Sequence, residues 1–120
     1  MKVAVTATGP QMDSEVDSRL ARARYFIVVD TETGQFEAHD NSDVRGATHG
    51  AGVQAAEKLD GLGVQAVITG NCGPRAYQVL KAMGIEVFVG ASGTVAEAVE
   101  KFKSGELRAA EGPNVESHWT

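Results

Sequence analysis

The chain has 120 residues, of which 42% are hydrophobic and 22% are charged, and its formal net charge is −5. These values are typical of one soluble globular domain, and they argue against a nucleic-acid-binding protein, which usually presents a basic face. The single cysteine, Cys72, excludes an internal disulfide, and no Cys/His spacing of the zinc-binding kind occurs. Because the sequence shows no membrane-spanning apolar run and no signal-peptide pattern, we expect a cytoplasmic protein without a membrane partner.

Short apolar runs rich in β-branched residues predict strands, and segments with apolar residues three or four apart predict helices. The strands are predicted at 2–7, 25–30, 35–39, 64–69 and 85–89. Helices are predicted from near Thr48 to Gly61, at 74–83 and at 95–103. Thr94 and Glu97 form the sequence of a capping box at the start of the last helix. The polar segment 11–24 is predicted to be a long loop with one helical turn near 18–21, and loops of this length often bind ligands.

This order, β-β-β-α-β-α-β-α, predicts an α/β fold with a mixed five-stranded sheet. Strands 1 to 3 pair as an antiparallel meander, and right-handed crossovers bring strands 4 and 5 parallel to strand 1. The strand order is then 3-2-1-4-5, with strand 2 antiparallel and helices on both faces. Such a three-layer arrangement is ribonuclease-H-like in topology. We assign residues 1–107 to a single binding domain and the polar residues 108–120 to a mobile C-terminal tail.

The segment Gly70-Asn71-Cys72-Gly73-Pro74 is the main candidate for a binding site. It joins a predicted strand to a predicted helix at the edge of the sheet where ligands of α/β folds bind. Glycines leave backbone N–H groups uncovered, and a helix N-terminus attracts anions. Ser92, before the last helix, would add N–H groups at the same edge. Positively charged side chains for an anion site are available at Arg19, Arg22, Arg24 and Arg75. His49 and Gly50 lie at the start of the first predicted helix, between Arg24 and Arg75 in the chain.

Three other interpretations of these residues were considered. A nuclease of ribonuclease-H type needs converging carboxylates for magnesium, and the first and fourth strands carry none. A nucleotide site is unsupported, since the phosphate-binding glycine motifs are absent. Cys72 at a helix N-terminus has the setting of a nucleophile with a lowered pKa, with His39, His49 or His118 as base. Buried cysteines are more often packing residues, and arginines in a loop more often pair with neighbouring acids such as Asp13, Glu15 and Asp17.

Several segments, in this order and spacing, resemble the dinitrogenase iron–molybdenum cofactor biosynthesis family. They are residues 2–6, 16–26, 49–52, 63–74 and 90–99. The resemblance covers 2–107 and implies the ribonuclease-H-like fold. It implies a non-enzymatic protein that binds or carries a molybdenum-containing metal–sulfide cluster, of the mixed molybdenum–copper sulfide type and held mainly without covalent bonds to the protein. The partners it implies are ATPases of the ParA/MinD type.

By position, the resemblance places three segments around the cluster. They are the loop that carries Arg19 and Arg22, which we call the arginine loop, the His49 loop and the Asn71–Cys72 turn. The predicted cofactor-binding residues are Arg19, Arg22, Arg24, His49, Gly50, Gly70, Asn71, Cys72, Gly73, Arg75 and Ser92, with Cys72 as the one candidate metal ligand. The family commonly has Arg-Phe-Gly-Arg where this chain has Arg19-Leu20-Ala21-Arg22, so the resemblance does not determine the course of this loop. A cluster-free interaction or regulatory module and a cysteine-dependent enzyme remain as alternatives.

Overall fold

The structure, a computed structural model, describes residues 1–115. Its strands are β1 (Lys2–Ala7), β2 (Tyr25–Asp30), β3 (Phe36–Asp40), β4 (Ala66–Ile68) and β5 (Glu86–Phe88). Its helices are α1 (Ser42–Arg45), α2 (Ala51–Gly61), α3 (Pro74–Ala82) and α4 (Val95–Lys103). Within the described residues, no helix has both the length and the apolar character needed to cross a bilayer.

The five strands form one sheet in the order β3-β2-β1-β4-β5, which confirms the predicted order. Strand β2 is antiparallel to both of its neighbours, and β4 is parallel to β1 and to β5. Strands β1, β3, β4 and β5 therefore all end at the same edge of the sheet, which we call the carboxyl edge. The segments that follow them carry the predicted site. The ribonuclease-H-like label stays a prediction.

Helices cover both faces of the sheet, as predicted. Helices α2 and α3 pack on one face, where Phe26 and Val67 are fully buried, and α4 packs on the other, where Val5 and Ile27 are fully buried. Burial of each such side chain contributes about 1.5–3 kcal/mol. The alternation of neighbouring strand residues between the two faces gives the sheet its two cores.

Three local predictions are wrong. Residues 18–21 form no helical turn, because Leu20 and Ala21 are drawn into the core. The short helix α1 lies between the third predicted strand and the first predicted helix, where no helix was predicted. Helix α2 begins after Gly50, whose φ of 68° is left-handed, and not near Thr48. Glycine adopts this conformation without strain, so the chain turns there and the helix starts one residue later.

The first part of the predicted tail contacts the domain. The Ala110 N–H donates to the Val87 carbonyl at 2.7 Å, and Ala109 forms an antiparallel bridge with Phe88, so the chain covers the outer edge of β5. Asn114 then bonds to the turn after β4. The division into a domain at 1–107 and a mobile tail at 108–120 stays a prediction. His118 lies outside the described residues.

Candidate anion-binding site

The arginine loop and the turn after β4 are paired backbone to backbone. Arg19 forms a parallel bridge with Asn71, and the Asn71 side-chain amide donates to the Ser18 carbonyl at 3.0 Å. A Cβ on Gly70 would lie 2.8 Å from the Ser18 Cα and 3.0 Å from its carbonyl oxygen. Gly70 is therefore required by the close approach of these two chain segments.

The departure from the Arg-Phe-Gly-Arg pattern leaves the arginine loop unstrained. Leu20 and Ala21 are fully buried in the core beneath α2 and α3, while the flanking Arg19 and Arg22 are half-buried. No non-glycine residue in the described part of the chain has a positive φ, so Ala21 needs no glycine-like conformation. The two apolar residues anchor the loop and leave the two arginines on its outer side.

The buried side chain of Asn41 hydrogen-bonds to the backbone of the arginine loop. The Asn41 side-chain amide donates to the carbonyls of Ala21 (3.0 Å) and Ala23 (2.9 Å), and its backbone N–H donates to the Arg24 carbonyl (2.9 Å). Its Oδ1 is buried and has no hydrogen-bond partner among residues 1–115. Because Asn41 also precedes α1, it fixes the arginine loop to that helix.

The arginine loop and α1 enclose an open cleft of about 280 Å³ at the carboxyl edge, which we call the arginine cleft. Its lining residues are Arg19, Arg22, Ser42, Arg45 and Gly46. The Arg22 Nη1 donates to the carbonyls of Arg45 and Ala47, each at 2.8 Å, and the Arg45 Nε donates to the Arg22 carbonyl at 3.1 Å. Three guanidinium groups thus converge on one cleft of a protein whose net charge is −5.

None of these arginines is neutralised by a carboxylate of the described chain. Every ion pair within residues 1–115 uses a lysine, a histidine or the N-terminus. The alternative in which the loop arginines pair with Asp13, Glu15 and Asp17 is therefore wrong. Asp17 instead accepts the Arg19 N–H at 3.0 Å. The positive charge of the cleft is left available to an anion.

The thiol of Cys72 faces the core. Cys72 is fully buried beneath α3, and burial raises the pKa of its thiol to about 12. The expectation that the helix N-terminus lowers this pKa is wrong, since desolvation penalises the thiolate. The Cys72 N–H is also occupied, because it donates to Asn114 Oδ1 at 2.7 Å. At neutral pH this residue is a protonated packing residue.

The N-terminus of α4 offers few amides to a ligand. The N–H groups of Val95 and Ala96 donate to the carbonyls of Ser14 and Met12, both at 2.9 Å. Thr94 and Glu97 form the predicted capping box, so the first turn is satisfied by the chain itself. Ser92 is exposed just before this turn and does not line the arginine cleft.

The other predicted residues do not line the cleft. Arg24 and Arg75 are exposed, and Arg24 contributes only its backbone carbonyl, to Asn41. His49 is exposed, and its carbonyl accepts from the Gln54 side chain at 3.2 Å. Gly73 is the extended residue that precedes α3, followed by Pro74 at the first helical position. The structure thus brings Arg19 and Arg22 together at the cleft, with Asn71 paired to Arg19, and none of the other predicted residues lines the cleft.

Two further observations limit what the site can bind. Within residues 1–115 no three His, Cys, Asp or Glu side chains are grouped as ligands for a bare metal ion. A larger hollow, of about 570 Å³, lies against Lys2, Asp30 and Phe36. It is at the opposite end of β1 from the carboxyl edge, and its charged residues are of mixed sign, one lysine with Asp30 and Glu37. The arginine cleft is therefore the better candidate.

Arg45, Asn41 and Asn114 are the site residues that the sequence analysis did not identify. Arg45 lies on a four-residue helix that has no periodic pattern, and the other two act through contacts with residues far away in the chain. The only available signal was that Asn41 and Arg45 follow a predicted strand at the carboxyl edge.

The model of the family described as dinitrogenase iron–molybdenum cofactor matches residues 1–105. The chain belongs to this family. The predicted family resemblance is thus confirmed, and it extends over both the arginine loop and the turn after β4.

Solved structures agree with this assignment. The apo form of the orange protein from Desulfovibrio gigas is 43% identical, with a TM-score of 0.93, and the match covers 95% of this chain and 96% of that one. A NifB-like protein from Thermotoga is 37% identical, with a TM-score of 0.79 and coverage of 92% and 98%. An uncharacterised protein of Methanocaldococcus jannaschii is 29% identical over 109 residues, 89% of each chain.

Proposed function

We propose that this protein binds or carries a molybdenum-containing metal–sulfide cluster, of the mixed molybdenum–copper sulfide type, in the arginine cleft. Family membership and the similarity to the orange protein support a cluster as the ligand. The observation that carries the proposal is the convergence of Arg19, Arg22 and Arg45 on one cleft without a carboxylate partner in the described chain.

The donor set fits an anionic cluster better than a bare cation. Guanidinium groups donate charge-assisted hydrogen bonds to anions, and they repel free metal ions. A thiomolybdate unit presents several sulfur acceptors around one metal, which suits N–H donors that arrive from different directions. Such a cluster brings its own sulfide ligands, so the protein binds and orients it without a thiolate. The protonated, buried thiol of Cys72 is consistent with this mode of binding.

Reconstitution tests the proposal. The protein is mixed with tetrathiomolybdate and a copper salt and passed through a desalting column, and its visible absorption and metal content are measured. We expect a visible chromophore and retained molybdenum and copper. Protein that elutes colourless and free of both metals would refute the proposal.

Paired variants locate the binding. Arg19→Gln should lower the retained molybdenum, because Arg19 has no internal partner for its side chain among the described residues and is available to the anion. Lys101→Gln removes the same charge from the exposed surface of α4 and serves as the control. Equal retention by the two variants would place the cluster elsewhere.

The remaining functional predictions concern catalysis, partner proteins and location in the cell. We propose a binding or carrier role without catalysis, and a cysteine-dependent enzyme is disfavoured by the burial of Cys72. The similar proteins give no support for ParA/MinD-type ATPases as partners. The cytoplasmic location and the absence of a nucleic-acid partner also stay predictions.

A further inference from the structure

Arg45 lines the same cleft as Arg19 and Arg22 although it is 23 positions from Arg22 in the chain. It is the last residue of α1 and is exposed. A guanidinium carries five N–H donors. In Arg45 the Nε donor is used by the Arg22 carbonyl, and the two terminal nitrogens have no partner within residues 1–115. This anchoring of Nε leaves the terminal pair of nitrogens of Arg45 at the cleft.

Arg22 is used differently. One of its terminal nitrogens, Nη1, donates to two backbone carbonyls, those of Arg45 and Ala47, each at 2.8 Å. These bonds join the end of α1 and the segment after it to the arginine loop. Arg22 is also half-buried, whereas Arg45 is exposed. Each arginine therefore hydrogen-bonds to the other's backbone carbonyl, but their terminal nitrogens differ. The Nη1 of Arg22 is bonded to the protein, whereas both terminal nitrogens of Arg45 are available at the cleft.

We propose that Arg45 is an anion-contacting residue of the cleft and that Arg22 is the residue that positions it. The proposal rests on the proposed function, because the ligand is the same anionic cluster, and it assigns the two arginines separate tasks. The planar fork of Arg45 presents two parallel donors to two sulfur or oxygen atoms of one tetrahedral thio- or oxo-anion unit. Arg22 holds the end of α1 so that this fork meets the donors of Arg19.

Titration calorimetry with tetrathiomolybdate and, separately, with molybdate tests this assignment at several salt concentrations. Arg45→Gln should weaken binding by about tenfold, since a hydrogen bond to a charged group is lost, and should flatten its salt dependence because one charge is removed. Arg22→Lys keeps the charge but not the planar group that bonds two carbonyls. It should therefore weaken binding severalfold with the salt dependence of the wild type. Arg108→Gln, an exposed arginine that does not line the cleft, is the control and should bind within about twofold of wild type.

The same titrations separate the two proposals. If Arg45→Gln binds like Arg108→Gln, Arg45 does not contact the anion and the inference fails while the cluster proposal stands. Wild-type affinity in Arg22→Lys would refute the positioning role. If the wild type binds molybdate but binds tetrathiomolybdate neither alone nor with a copper salt, the cluster proposal fails, and a loss of molybdate binding in Arg45→Gln still supports the inference. A wild-type protein that binds neither anion, with or without copper, refutes both.

A structural readout accompanies the affinities. In Arg22→Lys, the nitrogen and proton resonances of the Arg45 Nε–H group should shift, because the carbonyl that fixes it is no longer held in place. The melting temperature of each variant shows that it is folded. Unchanged Arg45 side-chain resonances in Arg22→Lys would contradict the positioning role.

Discussion

Gly70 lies where the arginine loop crosses the turn after β4, and the space for a side chain is missing there. Ala at this position would bring its Cβ to 2.8 Å from the Ser18 Cα, which is backbone and cannot rotate away. We expect Gly70→Ala to cost about 1–3 kcal/mol in the free energy of unfolding, as for other overpacked sites. Urea denaturation measures this cost.

The matched control is Gly61→Ala, at the end of α2, where a Cβ would meet nothing within 4 Å. Alanine there should be neutral or stabilise the protein by up to about 1 kcal/mol, because glycine is a poor helix former. Equal effects of the two substitutions would contradict the close packing of the loop on the turn.

The thiol of Cys72 should be unreactive and should make stability depend on pH in the alkaline range. Its pKa is raised from 9.0 to about 12 by burial, so the folded state retains a proton that the unfolded chain releases. The corresponding stability is fully present below pH 9 and is lost as pH rises toward 12. At pH 8, iodoacetamide should modify folded Cys72 at least about a hundredfold more slowly than the urea-unfolded chain.

Cys72→Ala provides the control, because it should lack this alkaline loss of stability. Rapid alkylation of the folded protein at pH 8 would show that the thiol is accessible and would revive the cysteine-enzyme alternative.

At the scale of elements, the capping box predicted for α4 forms, whereas Thr48, near which α2 was predicted to begin, caps no helix. Thr94 accepts the Glu97 N–H at 3.1 Å, while Thr48 lies outside α2 because the chain turns at Gly50. Thr94→Ala should therefore lower the free energy of unfolding by about 1 kcal/mol, and Thr48→Ala should change it by less than about 0.5 kcal/mol. Thermal denaturation of the two variants makes the comparison.

The same cap adds an acid-range effect. The pKa of Glu97 is lowered, first by the hydrogen bond from the Thr94 backbone and then by that from its side chain. The cap is therefore fully formed above the ordinary glutamate pKa and weakens as pH falls through the lowered one. Glu97→Gln should remove this pH dependence. A wild-type protein and Glu97→Gln variant that lose stability in parallel on acidification would contradict the reciprocal cap.

The segment 109–114 is hydrogen-bonded to the rest of the domain, although it contains no helix or strand of its own. Asn114 accepts the Cys72 N–H, and its own N–H donates to the Cys72 carbonyl at 3.0 Å. Asn114→Ala should speed hydrogen exchange of the Cys72 amide by about tenfold, since a hydrogen bond of roughly 1–1.5 kcal/mol is lost. NMR measures this exchange, and the amide of Val67 in β4 should not change.

Glu111→Gln is the control for the tail experiment, because Glu111 is exposed and makes no side-chain hydrogen bond within residues 1–115. If the Cys72 amide exchanges at the same rate in wild type, Asn114→Ala and Glu111→Gln, the contact between tail and turn is absent in solution.

At the scale of the whole molecule, the elements that repeat a simple period were predictable and the contacts between distant segments were not. The strand order followed from the apolar runs, from the short turn between strands 2 and 3 and from the right-handed crossovers to strands 4 and 5. The short helix α1 has four residues and shows no period, so Arg45 was not recognised. The docking of 109–114 on β5 depends on backbone hydrogen bonds, which leave no trace in side-chain polarity.

The candidate site was only partly predictable, because it also depends on contacts between segments that are distant in the chain. Proximity in the chain identified Arg19 and Arg22, and the strand order placed the turn after β4 beside them. The burial of Cys72 and the satisfied N-terminus of α4 depend on packing that the sequence does not encode locally. The proposed site is accordingly the arginine cleft, and the turn after β4 lies beside it.

The position of the ligand tests this account most directly. Molybdenum(VI) and copper(I) are diamagnetic, so amide resonances can be compared before and after reconstitution with tetrathiomolybdate and copper. We expect the largest shifts at Arg19, Arg22, Arg45 and Gly46, with Asn71 also affected. Shifts centred on Lys2, Asp30 and Phe36, at the other end of the sheet, would contradict it.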